Sequence, residues 1–174
     1  MAGGRRGFSL VELTVVLVIL GLAAGAVTMN YRGPLHDLGL RDLAHQVASF
    51  DRLTRAQARE QDRPLRLVFD LGANEVRRVD VDGLTERGTR LVPPGDYRLE
   101  KIRVGQVEAT TGCTVVPCGR LGLTPSYAVG LCGPGGQQRW LVVAGLTGLV
   151  EELDDGKELA GIFAPPPEAG NDAR

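Results

Sequence analysis

The stretch from Phe8 to Met29 constrains this chain more than any other, because it is apolar around its whole circumference yet contains one carboxylate, Glu12. Leu13, Val15, Val16, Leu17, Val18, Ile19, Leu20 and Leu22 leave no polar face, so the pattern is that of a span and not of an amphipathic surface helix. Wound as a helix at about 1.5 Å per residue, the segment reaches about 33 Å, which matches a hydrocarbon core of about 30 Å. A carboxylate placed there costs several kcal/mol unless it lies at the edge or finds a partner. Ahead of the run, Arg5 and Arg6 form a short basic leader. Such a leader stays in the cytoplasm and puts the residues beyond the span on the far side of the membrane, where a disulfide is permitted.

On the residues alone, two plain readings of this segment stand open. One is a secretory signal peptide with Leu13 to Leu22 as its apolar region and Ala24-Gly25-Ala26 as the cleavage site. The other is a simple single-pass anchor with Glu12 at the cytoplasmic interface. A third follows from resemblance: Gly7-Phe8-Ser9-Leu10-Val11-Glu12 resembles the class III signal of type IV pilins and type II secretion pseudopilins. That resemblance implies cleavage after Gly7 by a prepilin peptidase, N-methylation of the new N-terminal Phe8, and an assembly contact at Glu12. The chemistry is coherent, since cleavage creates an α-amino group at Phe8 and Glu12 lies one turn further along the same helix face. A buried carboxylate and ammonium each cost far less when paired, and in the family that pairing joins neighbouring subunits.

Charge argues against a nucleic-acid partner. Residues 35–104 interleave thirteen basic with twelve acidic side chains, and from 105 onward four basic face eight acidic, so no cationic tract forms. Cys113, Cys118 and Cys132 are candidates for a disulfide, either Cys113 with Cys118 across a small loop or Cys118 with Cys132, and spacing does not choose. No Cys-x-x-Cys exists and neither His36 nor His45 is near the cysteines, so no metal site and no cofactor is expected. Asp80-Val81-Asp82-Gly83 lacks the remaining calcium-loop spacing and reads as a hairpin turn. Two histidines in a helical region support no catalytic constellation, and the chain is not expected to be an enzyme.

Beyond the apolar run, Asn30-Tyr31-Arg32-Gly33-Pro34 loosens or kinks the helix. An amphipathic pattern then puts Leu40, Leu43, Val47, Phe50 and Leu53 or Thr54 on one stripe, with Arg41, Asp42, Asp51, Arg52, Arg55 and Arg59 mostly elsewhere. Arg63-Pro64 ends it. Period-two alternation predicts strands at 65–71, 75–81 and 97–104, the last bulged between Leu99 and Ile102. Further strands are expected at 122–123, 127–131, 139–143 and 149–153, with tight turns at Gly72-Ala73-Asn74, Asp82-Gly83 and Gly145 to Gly148. The organisation expected is a leader at 1–7, a transmembrane helix at 8–30, its amphipathic continuation at 31–63, a periplasmic β-rich domain at 64–160 and a flexible tail at 161–174. The fold class is α+β, a long N-terminal helix packed on antiparallel sheets, pilin-like in the light of the N-terminal resemblance.

The second half narrows the resemblance. Leu121 to Leu131, with Thr124-Pro125-Ser126-Tyr127 at its centre, and Trp140 to Val150, with Thr147-Gly148, resemble the strand–turn–strand segments of H-type minor pseudopilins and FimT-like minor pilins. The usual Phe-x-Pro-x-Gly core is replaced here by Leu-Thr-Pro-Ser-Tyr. The likeness implies a minor subunit of a type II secretion pseudopilus, a single-pass inner-membrane protein with its domain in the periplasm. Its implied partners are prepilin peptidase, other pseudopilins or pilins, the inner-membrane assembly platform and the membrane. The alternative is a minor type IV pilin in pilus assembly, adhesion or DNA uptake. The acidic stretch Glu151-Glu152-Leu153-Asp154-Asp155 disfavours DNA binding, which needs clustered cations.

Overall fold

A computed structural model describes residues 9–83, 85–154 and 156–163, without the side chains of 26–36 and 160. The sequence-expected leader with Gly7 and Phe8, and the tail from 164 onward, lie outside the described residues. By contacts the chain divides into two units, residues 1–35 and 36–174. Helix α1, Leu10–Glu60, is assigned helical throughout, Gly33-Pro34 included. In the first unit its described apolar side chains, Leu10 to Leu22, are exposed.

In the second unit α1 carries a buried stripe at Leu40, Leu43, Ala44, Val47, Ala48, Asp51, Thr54, Arg55 and Ala58. The steps of three and four are those of a helix with one covered face. Thr54 and not Leu53 continues the stripe, and Leu53 is exposed. Asp51 and Arg55 were expected off the stripe and are buried on it, which is the main departure from the sequence reading of the helix. The helix stops where Asp62 turns left-handed (φ 47°). The Arg63 N–H returns to the Ala58 carbonyl and the Asp62 N–H to that of Arg59, a Schellman-type end ahead of Pro64.

Two antiparallel sheets follow. β1 (Leu65–Asp70), β2 (Glu75–Asp80) and β5 (Cys113–Cys118) form one in the order β2-β1-β5. β3 (Arg98–Val104), β4 (Val107–Ala109), β6 (Tyr127–Cys132), β7 (Gln138–Val143) and β8 (Val150–Leu153) form the other, in the order β4-β3-β6-β7-β8. The expected bulge appears as a register shift between Leu99 and Lys101 against β6. No strand forms at 122–123, where Gly122 has a positive φ of 72° in a turn. β5 runs through the segment read as a cysteine-bounded loop. Its Pro117 is tolerated because β5 is an edge strand.

The α1 stripe packs on both sheets at once: Leu67, Phe69, Val76 and Val116 come from one, Leu99, Ile102, Tyr127, Val129, Leu131, Leu141 and Val143 from the other. Alternate residues of β6 and β7 face the opposite way, and Ala128, Trp140 and Val142 form a second cluster with Leu153, Leu159 and Phe163. The last two come from a short helix, α2 (Leu159–Ile162), and its C-cap Phe163, so Phe163 packs on the sheet at the point where the tail was expected to have begun. Filling that second face stabilises by roughly 1.5–3 kcal/mol for each large apolar side chain fully covered.

Candidate functional site

The start of α1 is built as a capped helix. Ser9 occupies the N-cap position: its Oγ accepts from the Val11 N–H at 3.3 Å and its carbonyl from the Leu13 N–H at 3.2 Å. Glu12 is then the third helical residue and sits exposed in the first turn. A carboxylate there faces unsatisfied backbone N–H groups and the positive end of the helix dipole, worth about 0.3–1 kcal/mol at an exposed site. Thr14 Oγ1 donates to the Val11 carbonyl at 2.8 Å, so its polarity is turned onto the backbone. Among the described residues no helix is long and apolar enough to cross a membrane. The described side chains of the apolar run stop at Gly25, whereas the run in sequence continues to Met29.

A different constellation lies in the second unit, on the buried face of α1. Arg55 Nε donates to Asp51 Oδ2 at 2.6 Å, one helical turn away. The same guanidinium reaches two loops. Its Nη1 donates to the Gly145 carbonyl at 2.7 Å and the Gly122 carbonyl at 3.2 Å, and its Nη2 to Thr124 Oγ1 at 2.6 Å. The other oxygen of Asp51 accepts from the Tyr127 hydroxyl at 2.8 Å. The Thr124 hydroxyl donates to the Pro125 carbonyl at 2.9 Å, and the Tyr127 ring packs against Phe69. Asp51 is 1%, Arg55 5% and Tyr127 0% exposed, so the network is closed to water. Burial, reinforced by the Asp51 charge, pushes the Tyr127 hydroxyl well above its ordinary pKa.

This network explains the unusual Thr-Pro-Ser-Tyr segment. Thr124 and Tyr127 supply the two hydroxyls that complete the Arg55–Asp51 pair, and Ser126 Oγ accepts from the Gly145 N–H at 3.0 Å. Gly145 is required by space: a Cβ there would stand 2.1 Å from the Thr124 carbonyl oxygen. The arrangement ties α1 to the β5–β6 and β7–β8 loops, and its chemistry is that of a clamp. The signal in the sequence was the step of eleven and fifteen residues from Leu40 to Asp51 and Arg55, which continues the apolar stripe with a complementary i, i+4 pair.

Two further arginines are buried in the second unit. Arg78 donates to Thr54 Oγ1 at 3.0 Å and to Gln57 Oε1, and it lies 4.9 Å above the Phe50 ring. Burial lowers its pKa. Arg139 is ringed by carboxylates, with Asp37 at 2.6 Å, Glu152 at 3.0 Å and Asp154 at 3.1 Å. Burial opposes its charge, but the Asp37 and Glu152 bonds outweigh it and raise its pKa. The acidic stretch at 151–155 thus spends Glu152 and Asp154 on an internal cation. Asp80, at the start of the Asp80-Val81-Asp82-Gly83 turn, is likewise held by Arg87 through Nε at 2.9 Å and Nη2 at 2.6 Å.

The three cysteines are free thiols. Cys113 and Cys118 begin and end one strand, opposite Asp70 and Leu65 of β1. Five steps of about 3.3 Å separate them by about 17 Å, far beyond the Cα separation of roughly 7 Å that a disulfide tolerates. The expected loop staple between them is therefore corrected. Cys118 clusters with Ala58 near the end of α1, whereas Gly133, next to Cys132, faces Leu40 eighteen residues earlier on the same helix. Along the helix that is about 27 Å, so Cys118 does not reach Cys132 either. Cys113 Sγ instead donates to Asp70 Oδ2 at 3.2 Å.

Comparison with known proteins bears on the N-terminal motif and on the fold. Residues 3–28 match the prokaryotic N-terminal methylation motif, which includes Gly7, Phe8 and Glu12. No curated protein matches. Among solved structures, the minor pseudopilin EpsH from the type 2 secretion system of Vibrio cholerae is similar, with a TM-score of 0.51 and 12% identity, over 67% of this chain and 98% of that one. The chain carries a prokaryotic N-terminal methylation motif ahead of a pseudopilin fold.

Proposed function

We propose that the chain is a minor pseudopilin, most like the H type, matured by prepilin peptidase and held in the inner membrane by the apolar run with its β-domain in the periplasm. It joins a short periplasmic fibre of a type II secretion system that exports proteins across the outer membrane. The observation that carries this reading is the conjunction of the methylation motif at 3–28 with the pseudopilin fold behind it. In it the role is assembly: apolar helices bundle in the fibre core, and Glu12 receives the ammonium group of Phe8 from a neighbouring subunit. The capped first turn supports that role, because it orders the helical turn that carries Glu12 and leaves the residue exposed to a partner.

The motif fits equally a minor type IV pilin, the second reading, in which the same subunit serves pilus assembly, adhesion or DNA uptake. A Glu12→Leu variant tests the assembly role. It is expected to insert in the membrane as the parent does but to lose crosslinking to neighbouring pilin-type subunits and to impair secretion. Unchanged crosslinking and secretion would remove Glu12 from the mechanism.

A further inference from the structure

Four leucines stand exposed on the two loops that Arg55 ties to α1. Leu121 and Leu123 lie between β5 and β6, Leu146 and Leu149 between β7 and β8, and their exposures are 74%, 42%, 80% and 71%. The loops are held in place, since one guanidinium takes the Gly122 and Gly145 carbonyls and Gly145 abuts the Thr124 carbonyl. Apolar groups on a frame already fixed lose little freedom when a partner covers them. A groove of about 260 Å³ runs between the loops and α1, with Arg52 and Arg59 among its lining residues.

Both of those arginines are exposed, and among the described residues neither makes an ion pair. Arg41, Arg77, Arg87, Arg90 and Arg103 pair with carboxylates, whereas exposed Arg63, Arg98 and Arg120 make no ion pair among the described residues either; what sets Arg52 and Arg59 apart is that both line the groove beside the leucines. The stem of Arg59 lies 3.2 Å from where a Gly122 Cβ would be, so it rests on the leucine-bearing loop. Arg52 and Arg59 are two helical turns apart, about 10 Å.

We propose that this surface docks an acidic amphipathic helix of a neighbouring pilin-type subunit, its apolar side chains over the four leucines and two carboxylates spaced i, i+7 against Arg52 and Arg59. The proposal rests on the assembly reading above and names the chemistry of one neighbour. The occupant is a different chain and not α1 of a second copy. Among its described residues α1 bears acids outside the buried stripe at Glu12, Asp37, Asp42 and Glu60, and no two of these are seven apart.

The test uses the full-length chain in nanodiscs of neutral lipid. The probe is a fluorescein-labelled helical peptide of about 18 residues, with a leucine face and a Glu pair at i, i+7, compared with its Lys counterpart. The Glu peptide is expected to bind, less tightly as salt rises. Arg52→Glu with Arg59→Glu should weaken it by about tenfold or more and favour the Lys peptide. Leu121→Ser with Leu146→Ser, both on exposed loops, should weaken both peptides. Equal binding of the Glu and Lys peptides, or binding unchanged in the double arginine variant, overturns the proposal. So does preferential binding of anionic vesicles, which would make the surface a lipid contact. The peptide assay needs neither Phe8 nor Glu12, so its failure leaves the assembly reading standing, and a failure of N-terminal processing leaves the docking result standing.

Discussion

Replacing Arg55 by Met should be the most damaging single change on the buried face of α1. The substitution keeps the apolar stem but removes the guanidinium that donates to Asp51, Thr124, Gly122 and Gly145. Asp51, 1% exposed, is then a buried carboxylate with only the Tyr127 hydroxyl left as a side-chain donor. Breaking a buried pair from one side costs about 3–5 kcal/mol, and two loop carbonyls lose a charged donor besides. Removing both charges, as Asp51→Leu with Arg55→Met, leaves no unpaired ion and should cost less than Arg55→Met alone, even though the Tyr127 hydroxyl is stranded. The assay is urea unfolding of the full-length chain in detergent, read by the single tryptophan, Trp140, which is packed against the second cluster. A loss below about 1 kcal/mol for Arg55→Met, which is the range of an exposed ion pair, would refute the clamp. A double variant as unstable as the sum of its parts would refute the coupling.

Other consequences are simpler to state. Gly145→Ala should destabilise by about 1–3 kcal/mol or more, because its Cβ meets the Thr124 backbone, while Gly161→Ala, with open space around it, should be near neutral in the same unfolding assay. Tyr127 binds its proton more tightly folded than unfolded, so stability should be intact below the unfolded tyrosine pKa of about 10 and fall above it by at most about 1.4 kcal/mol per pH unit. Tyr127→Phe should remove that part of the slope, and identical alkaline slopes would contradict the buried hydroxyl. Intact mass after alkylation should show three free thiols, with exposed Cys113 modified well before buried Cys118. A chain lighter by two hydrogens and resistant to alkylation would contradict the assignment of free thiols.

What the sequence disclosed follows from how local each signal is. The alternation of Leu65 to Leu71 and of Glu75 to Val81, and the phase slip between Leu99 and Ile102, depend on near neighbours, and strands and bulge appear there. β5 is masked in the sequence because two cysteines and a proline are compatible with a loop, although buried Val116 and Cys118 alternate with exposed Val115 and Pro117. β4 is too short to show a period. The charges of Asp51 and Arg55 point away from a buried stripe on sequence alone, because charge usually marks the solvent face. Their burial depends on hydrogen-bond partners 67 to 90 residues away in sequence, which no helical window contains. The capping role of Ser9, by contrast, was present in the Ser-Leu-Val-Glu spacing itself.

Whether the chain is processed as a prepilin-type subunit is tested most directly by the mass of its mature N-terminus. Protein extracted from the membrane of a host with its prepilin peptidase should begin at Phe8 bearing one methyl group, and a Gly7 replacement should keep the leader attached. A chain that begins at Val27, as after a secretory signal peptide, or that retains Met1, as a plain anchor would, contradicts that processing.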